Sequence, residues 1–198
     1  MFIKKDSHTD PDVRRMLHFQ NGDLGAFRQL FESYQKPIIN FCFRFCRNRA
    51  LAEDLAQEVF LRVYRGAGGY RSDARFTTWL YRIAVNVCLN ETRKREYHVQ
   101  VESIDRPGLK DLDDMPRQVS DEYRPNPGEM VDSKERDEML GRALAGLPDQ
   151  QRIALVLRTY HEFSYDEIAV QMSCSEGKVK TLIFRARQAL KETLKDYL

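Results

Sequence analysis

Apolar residues in the first half of the chain recur at intervals of three and four, the period of an amphipathic helix. The pattern predicts helices over about residues 11–20, 23–47, 50–65 and 75–97. We expect a disturbance of the second helix at Pro37, since proline has no backbone N–H to donate. Gly66, Gly68 and Gly69 are expected to end the third helix. No alternating pattern typical of a strand competes, so this half is predicted to be all-α.

The helical period fails between about residues 100 and 130, where four prolines interrupt a polar, acidic stretch. That composition is typical of an extended or disordered linker. Helical periodicity resumes near Asp132 and continues to Leu198, which is enough chain for a small three- or four-helix unit. We therefore predict an all-α protein of two small helical domains, residues 1–98 and 132–198, joined by a flexible acidic linker, residues 99–131.

The helix predicted to begin near Phe76 has an apolar face and a separate polar stripe of Arg82, Asn86 and Asn90. Asparagine is a poor helix former, so the stripe costs some helix stability unless it contacts something. An amide both donates and accepts, which suits the edge of a base. The rings of Tyr70, Trp79 and Tyr81 could stack on unpaired bases, and nearby arginines including Arg71 could hold phosphates. The pattern favours a surface for melted nucleic acid; for Trp79 the alternative is burial in the core, and for the asparagines a solvated surface.

Two helix starts follow each other closely in the second block. Ser164 and Glu167 have the spacing of a capping box, and Ser175 can cap the next helix after a short turn. That second helix combines an apolar face with one-sided positive charge, which is typical of the recognition helix of a helix-turn-helix. An ordinary helical hairpin with a solvated basic face is the alternative. The exposed positions predicted for DNA contact are Lys178, Lys180, Thr181, Arg185 and Arg187.

The net charge of +2 hides an asymmetry along the chain. Residues 1–98 contain 17 Lys and Arg against 11 Asp and Glu, whereas residues 99–131 contain 4 against 8. The four cysteines lie in apolar helical patterns without metal-ligand spacing, so we expect reduced thiols packed in the core. A redox role for the Cys42 and Cys46 pair stays open.

No apolar run reaches the length of a membrane span, and the N-terminus lacks the apolar core of a signal peptide. A cytoplasmic protein without membrane insertion is expected. The four histidines show no metal spacing, and there is no phosphate-cradling glycine loop. We therefore predict no metal site, no cofactor, no catalytic residue and no enzymatic activity.

Taken together, the two blocks resemble the extracytoplasmic-function (ECF) sigma factors of bacterial RNA polymerase. The resemblance covers about Asp10 to Leu190. Its most specific stretches are GDLGAFRQLFESY (22–34), AEDLAQEVFLRVYR (52–65), FTTWLYRIAVNVCLN (76–90), LPDQQRIALVLR (147–158), SYDEIAVQM (164–172) and GKVKTLIFRARQAL (177–190).

The resemblance implies a division of labour between a region 2 domain at 1–98 and a region 4 domain at 132–198. Region 2 would bind core RNA polymerase and the melted minus-10 element, and region 4 would recognise the duplex minus-35 element. The residues it implies for polymerase binding are Glu53, Asp54, Gln57 and Glu58, whose alternative is a solvated acidic face. For capture of an extruded minus-10 base it implies Asn86 and Asn90, with Tyr70 and Arg71 in the adjacent loop. For the minus-35 element it implies Lys180, Thr181, Phe184 and Arg185.

The family resemblance also implies control by an anti-sigma factor. One departure from the family pattern is that Glu176 and Lys178 stand on either side of Gly177, where the family often has an apolar residue and a threonine. The promoter sequence preference is therefore left open. The alternative function is a stand-alone helix-turn-helix transcriptional regulator, although that function assigns no role to the aromatic helix or to the acidic face.

Overall fold

A computed structural model describes residues 10–105 and 127–195, with side chains at 10–95 and 136–195. Eight α-helices and no strands occur in this part of the chain. They are α1 Pro11–Gln20, α2 Leu24–Cys46, α3 Arg49–Gly66, α4 Phe76–Asp105, α5 Pro127–Ala145, α6 Asp149–Tyr160, α7 Tyr165–Gln171 and α8 Glu176–Thr193, with a 3-10 turn at Ala67–Gly69. The all-α prediction is confirmed.

The first helical unit is formed by α1 to α4. Short polar side chains cap its early helices: Asp10 accepts from the Asp12 amide, Asp23 from the Ala26 amide, and Asn48 from the Leu51 amide. Each cap satisfies a backbone N–H that the first turn of a helix leaves without a partner. The core between the helices is built from fully buried residues such as Met16 and Phe41.

Helix α2 is continuous through Pro37, as the predicted range 23–47 requires, so the disturbance expected there does not break the helix. Proline removes one backbone hydrogen bond, but Leu30, Ile38 and Phe41 are buried on both sides of it. Burial of those large side chains offsets the loss and keeps the helix continuous.

Helix α4 continues to Asp105 and α5 already begins at Pro127, so helix occupies both ends of the segment predicted as a linker. No proline or glycine stands between Phe76 and Asp105 to stop α4, and proline is well suited to the first position of a helix. The remainder of the predicted linker, residues 106–126, lies outside the described residues.

The second helical unit is formed by α5 to α8. The capping box at the start of α7 is confirmed: the Ser164 amide donates to Glu167 Oε2 at 2.9 Å, and the Glu167 amide donates to Ser164 Oγ at 3.4 Å. Ser175 caps α8 as predicted, accepting from the Lys178 amide at 3.3 Å. The turn between α7 and α8 contains Ser173 at a φ of 52°, in the left-handed region.

All four cysteines are free thiols, with Cys42 and Cys88 buried and Cys46 and Cys174 half-buried. A hydrogen bond with the Cys42 side chain, together with burial, raises the pKa of Cys88 well above its ordinary value. The raised pKa keeps the Cys88 thiol neutral, and the buried Cys42 and Cys88 side chains contribute to the core as small apolar groups.

Candidate nucleic-acid interface

The polar stripe on α4 is placed by the burial of the opposite face. Leu80, Ala84 and Val85 are fully buried, which turns Arg82 and Asn86 outward into solvent. Asn90 is half-buried and accepts from Arg93 Nη1 at 3.3 Å. Steps of four residues span about 6 Å each along a helix, so the stripe is about 12 Å long. Its groups are amides and guanidinium donors, which suit base edges and phosphates.

The loop before α4 is tied to the rest of the first unit by the side chain of Gln20, for which no role was predicted. Gln20 Nε2 donates to the carbonyl of Ala67 at 2.6 Å and to that of Tyr70 at 2.9 Å. Because both bonds end on the loop backbone, Gln20 positions the residues that follow. Arg71 directly follows this anchored turn, and its side chain is exposed to solvent.

Aromatic side chains around the loop pack on one another. Tyr70 is 5% exposed, and its ring centroid lies 5.1 Å from that of Trp79 and 6.3 Å from that of Phe76. Its hydroxyl donates to the Ala74 carbonyl, and burial raises its pKa. In this arrangement the loop exposes the side chain of Arg71 to solvent, while the Tyr70 ring is buried. Contact of Tyr70 with a base stays a prediction. Trp79 is half-buried in the same cluster.

The candidate polymerase-binding face lies on α3, opposite the buried residues Leu55, Val59 and Val63. Two of its four predicted side chains are engaged within the helix: Glu53 accepts from Arg49 at 2.6 Å, and Glu58 accepts from Arg62 at 2.7 Å. Asp54 and Gln57 are exposed.

Two large apolar residues, Leu61 at 48% and Tyr64 at 50% exposure, continue the line of Asp54 and Gln57 along α3. The spacing i, i+3, i+7 and i+10 keeps all four on one side of the helix. An exposed patch that mixes apolar and polar side chains is typical of a protein-binding surface. The exposure of these two residues was not predicted.

The basic face of α8 is held outward because Val179, Ile183 and Ala186 are buried against the other helices of the second unit. All six residues predicted for duplex contact are exposed, namely Lys178, Lys180, Thr181, Phe184, Arg185 and Arg187. Phe184 is 63% exposed, so its phenyl ring is free to contact a partner beside the basic side chains.

Several α8 side chains already have local partners. Lys180 Nζ lies 2.7 Å from Glu176 Oε1, and this contact raises the pKa of Lys180. The Thr181 hydroxyl donates to the Gly177 carbonyl at 3.0 Å, which leaves its methyl group as the free feature. The face therefore presents cationic donors beside two apolar groups, Phe184 and the Thr181 methyl.

Within residues 10–105 and 127–195, no group of three or more His, Cys, Asp and Glu side chains is arranged to hold a metal ion. None of the helices in these ranges is both long and apolar enough to cross a membrane.

Comparisons with known proteins agree with this division. A family model described as Sigma-70 region 2 matches residues 30–97, and one described as Sigma-70, region 4 matches residues 137–190. The RNA polymerase sigma-H factor of Pseudomonas aeruginosa is 32% identical over 198 residues, covering 96% of both chains. The ECF RNA polymerase sigma factor SigW of Bacillus subtilis is 33% identical over 185 residues, covering 92% of this chain and 96% of that protein.

Solved structures share the fold. CnrH in complex with the cytosolic domain of CnrY aligns with a TM-score of 0.68 at 19% identity, covering 94% of this chain and 99% of that one. RpoE of Bartonella quintana in complex with the anti-sigma factor NepR aligns with a TM-score of 0.67 at 24% identity, covering 85% and 96%.

The chain belongs to the sigma-70 family of bacterial RNA polymerase sigma factors, in its extracytoplasmic-function group. Sigma factors are transcription initiation factors, and membership favours this function over a stand-alone helix-turn-helix regulator. The matched regions fall within the predicted 1–98 and 132–198 segments, whose limits stay predictions.

Proposed function

We propose that this sigma factor directs core RNA polymerase to promoters and helps to open them by capturing an extruded minus-10 base on α4. The stripe of exposed Arg82, exposed Asn86 and half-buried Asn90, with the exposed Arg71 in the preceding loop, is the observation that carries this proposal. Flipping a base costs a few kcal/mol of stacking and pairing, which hydrogen bonds and stacking at the stripe would offset. Opening by capture requires no catalytic residue of the sigma factor, and such a protein acts in the cytoplasm.

Replacing Asn86 with alanine separates base capture from folding. Alanine is the better helix former, so the variant should be as stable as the wild type or slightly more stable. Loss of a bidentate amide–base contact costs about 1–3 kcal/mol, which corresponds to a loss of about 5- to 150-fold in the open-complex equilibrium. Promoter opening would be followed by permanganate reactivity of the melted thymines, with affinity for core polymerase measured in parallel.

Gln35→Ala is the matched control, because it removes another exposed amide from a helix, α2, that carries none of the proposed contacts. We expect Gln35→Ala to open promoters like the wild type. Equal loss of opening and core binding in Asn86→Ala, or no loss of opening, would contradict base capture by Asn86.

Core polymerase is proposed to bind the face of α3 that carries Glu53, Asp54, Gln57 and Glu58. Two of these carboxylates are already paired within α3, so Asp54 and Gln57 are the more available polar contacts, with Leu61 and Tyr64 beside them. Burying an exposed apolar side chain contributes about 1.5–3 kcal/mol. Because Tyr64 is 50% exposed, about half of this free energy is available to binding, and Tyr64→Ala should weaken binding of core polymerase about 4- to 12-fold in a direct binding assay. Asn86→Ala should leave that binding unchanged.

Helix α8 is proposed to recognise the duplex minus-35 element, with Lys178, Lys180, Arg185 and Arg187 on phosphates or base acceptors. Phe184 and the methyl group of Thr181 suit apolar contact with a thymine methyl in the major groove. Replacing single thymines of this element with uracil removes one methyl group and should weaken binding by about 0.8 kcal/mol, or roughly 4-fold, where Phe184 touches it. In Phe184→Ala that substitution should have no further effect; an equal loss in both proteins would remove Phe184 from methyl recognition.

An anti-sigma factor is proposed to hold the protein inactive. CnrH was solved with the cytosolic domain of CnrY, and RpoE with the anti-sigma factor NepR. Copurification of the tagged protein from its native cell should recover a stoichiometric inhibitor of transcription. Recovery of active protein without such an inhibitor would remove this part of the proposal.

A further inference from the structure

Helix α8 carries one carboxylate at the end of its basic face. Glu176 is the only acidic residue between positions 175 and 191, a range that contains five Lys and Arg. It is the first residue of α8, directly after the Ser175 cap, and its side chain is exposed. A carboxylate accepts hydrogen bonds and is repelled by phosphates. Glu176 is therefore unsuited to the phosphate contacts that its basic neighbours can make.

The Glu176 carboxylate is held by Lys180, one turn further along α8. Glu176 Oε1 lies 2.7 Å from Lys180 Nζ, and the two side chains are 50% and 58% exposed. Lys180 is held from a second side as well, since its Nζ lies 5.8 Å from the ring centroid of Tyr165 on α7. Pairing offsets the repulsion between the carboxylate and the DNA backbone. A carboxylate has a second oxygen and an ammonium group two further hydrogens, so both side chains can also contact a base pair.

This acceptor and donor match the major-groove edge of a single base pair. In a G·C pair, guanine presents the acceptors N7 and O6, and cytosine presents its N4 amino group as a donor. O6 and N4 are bonded to each other at about 2.9 Å, a separation close to the 2.7 Å between Lys180 Nζ and Glu176 Oε1. Lys180 can therefore donate to guanine while Glu176 accepts from the cytosine of the same pair. A T·A pair also places an acceptor beside a donor, but it offers Lys180 one acceptor where guanine offers two.

The first turn of α8 leaves room for a base pair to approach. Gly177 follows Glu176, and a Cβ at that position would meet no atom within 4 Å outside the backbone of its own helix in the described part of the chain. Packing therefore does not require glycine here, although glycine destabilises a helix relative to alanine. In a helix-turn-helix, the N-terminal residues of the second helix are the ones that contact base edges. Glu176 lies at that end of α8.

We propose that Glu176, paired with Lys180, is a specificity-determining residue for the minus-35 element and selects a G·C base pair by accepting from the N4 amino group of its cytosine. This inference rests on the proposed recognition of the minus-35 element by α8, and it adds a residue for which no DNA contact was predicted. Phe184 follows Glu176 by eight residues, about 12 Å along α8. At about 3.4 Å per base pair, the selected pair should lie within about four base pairs of a thymine that Phe184 contacts.

The first test is selection from duplex promoters with a randomised minus-35 element, by the full-length protein assembled with core RNA polymerase. The wild type should select a G·C pair at one position within the reach of Glu176. In Glu176→Gln the side-chain amide both donates and accepts, and it suits adenine better than cytosine. That variant should therefore accept a T·A pair at the same position and leave the preferences at the other positions unchanged.

The second test changes one hydrogen of the selected base pair. N4-methylcytosine still pairs with guanine, but a methyl group replaces the N4 hydrogen that faces the major groove. The wild type should bind this duplex at least about 5-fold more weakly, the lower limit for one specific base contact. In Glu176→Ala, the same replacement should have no further effect on binding.

Glu192→Gln is the matched control, because Glu192 is an exposed acid on α8 about 24 Å from Glu176 along the helix axis. It should keep the wild-type selection and the wild-type response to N4-methylcytosine. An unchanged selection in Glu176→Gln, or an equal effect of N4-methylcytosine in the wild type and Glu176→Ala, would overturn the proposal. A loss of affinity for every sequence alike in Glu176→Ala would also overturn it, since Glu176 would then act only through the stability of α8.

The selection distinguishes this inference from the function on which it rests. If the wild type selects no minus-35 sequence at all, recognition of that element by α8 fails and the role of Glu176 fails with it. If the wild type selects a defined sequence that the Glu176 variants also select, recognition by α8 stands and only the role of Glu176 is overturned.

Discussion

Arg152 joins the carbonyl ends of two helices that belong to different units. Its guanidinium donates to the carbonyls of Leu144 at 2.9 Å, Ala145 at 2.7 Å and Leu147 at 2.8 Å, where α5 ends. A fourth bond, at 2.6 Å, reaches the carbonyl of Phe45 near the end of α2. The side chain is only 12% exposed. A cation at the carboxyl ends of two helices also interacts favourably with both helix dipoles.

Replacing Arg152 with methionine removes all four bonds while keeping an unbranched chain. A hydrogen bond to a charged group contributes about 1.5–3 kcal/mol, but the four contributions are not additive because one guanidinium is desolvated for all of them. Water can also reach the exposed Ala145. We therefore expect the free energy of unfolding to fall by about 3 kcal/mol, the value of one to two such bonds. Arg152→Lys keeps the charge but not the planar fork, so it should restore less than half of this loss.

Urea unfolding followed by circular dichroism measures the effect. With a slope of about 2 kcal/mol per molar urea, the midpoint should fall by about 1.5 M in Arg152→Met. Arg142→Met is the matched control, since Arg142 is exposed on α5, and it should change stability by less than about 0.5 kcal/mol. A midpoint for Arg152→Met within error of the control, or full recovery by lysine, would refute the inferred role of the fork.

Three further predictions concern stability. Ser164→Ala removes the hydroxyl side of the α7 capping box and should cost about 1 kcal/mol in urea unfolding, with Ser33→Ala as an exposed control. Ser173→Gly relieves a left-handed backbone conformation and should stabilise by a few tenths to about 1 kcal/mol; destabilisation would contradict strain at that turn. Burial lowers the pKa of His161 from an ordinary 6.5 to about 4 in the folded protein, so its imidazole binds a proton more readily in the unfolded chain than in the folded one. The contribution of neutral His161 to the free energy of unfolding is therefore complete above about pH 6.5. It is lost as the pH falls towards 4, by at most about 3 kcal/mol. In His161→Asn the free energy of unfolding should lose this dependence on pH.

Features determined by neighbouring residues were predictable from the sequence. The capping box of Ser164 and Glu167 and the cap at Ser175 depend on partners three residues away. The outward positions of Arg82 and Asn86 follow from helical periodicity alone, as do those of the basic residues on α8.

Features that depend on distant partners could not be predicted in the same way. Gln20 meets the loop carbonyls 47 and 50 positions later, and Arg152 meets Phe45 across 107 positions. Burial of Tyr70 results from packing among Phe76 and Trp79, which the periodicity does not determine for a loop residue. The continuity of α2 through Pro37 likewise depends on tertiary packing that overrides local propensity.

The most direct test of the central claim is run-off transcription with purified core RNA polymerase on a library of randomised promoters. The account predicts that the protein selects a defined set of sequences that are transcribed only when both protein and core enzyme are present. Asn86→Ala should retain core binding and lose opening of the selected promoters. Absence of any promoter-dependent transcript, together with tight binding of duplex DNA by the protein alone, would contradict the account.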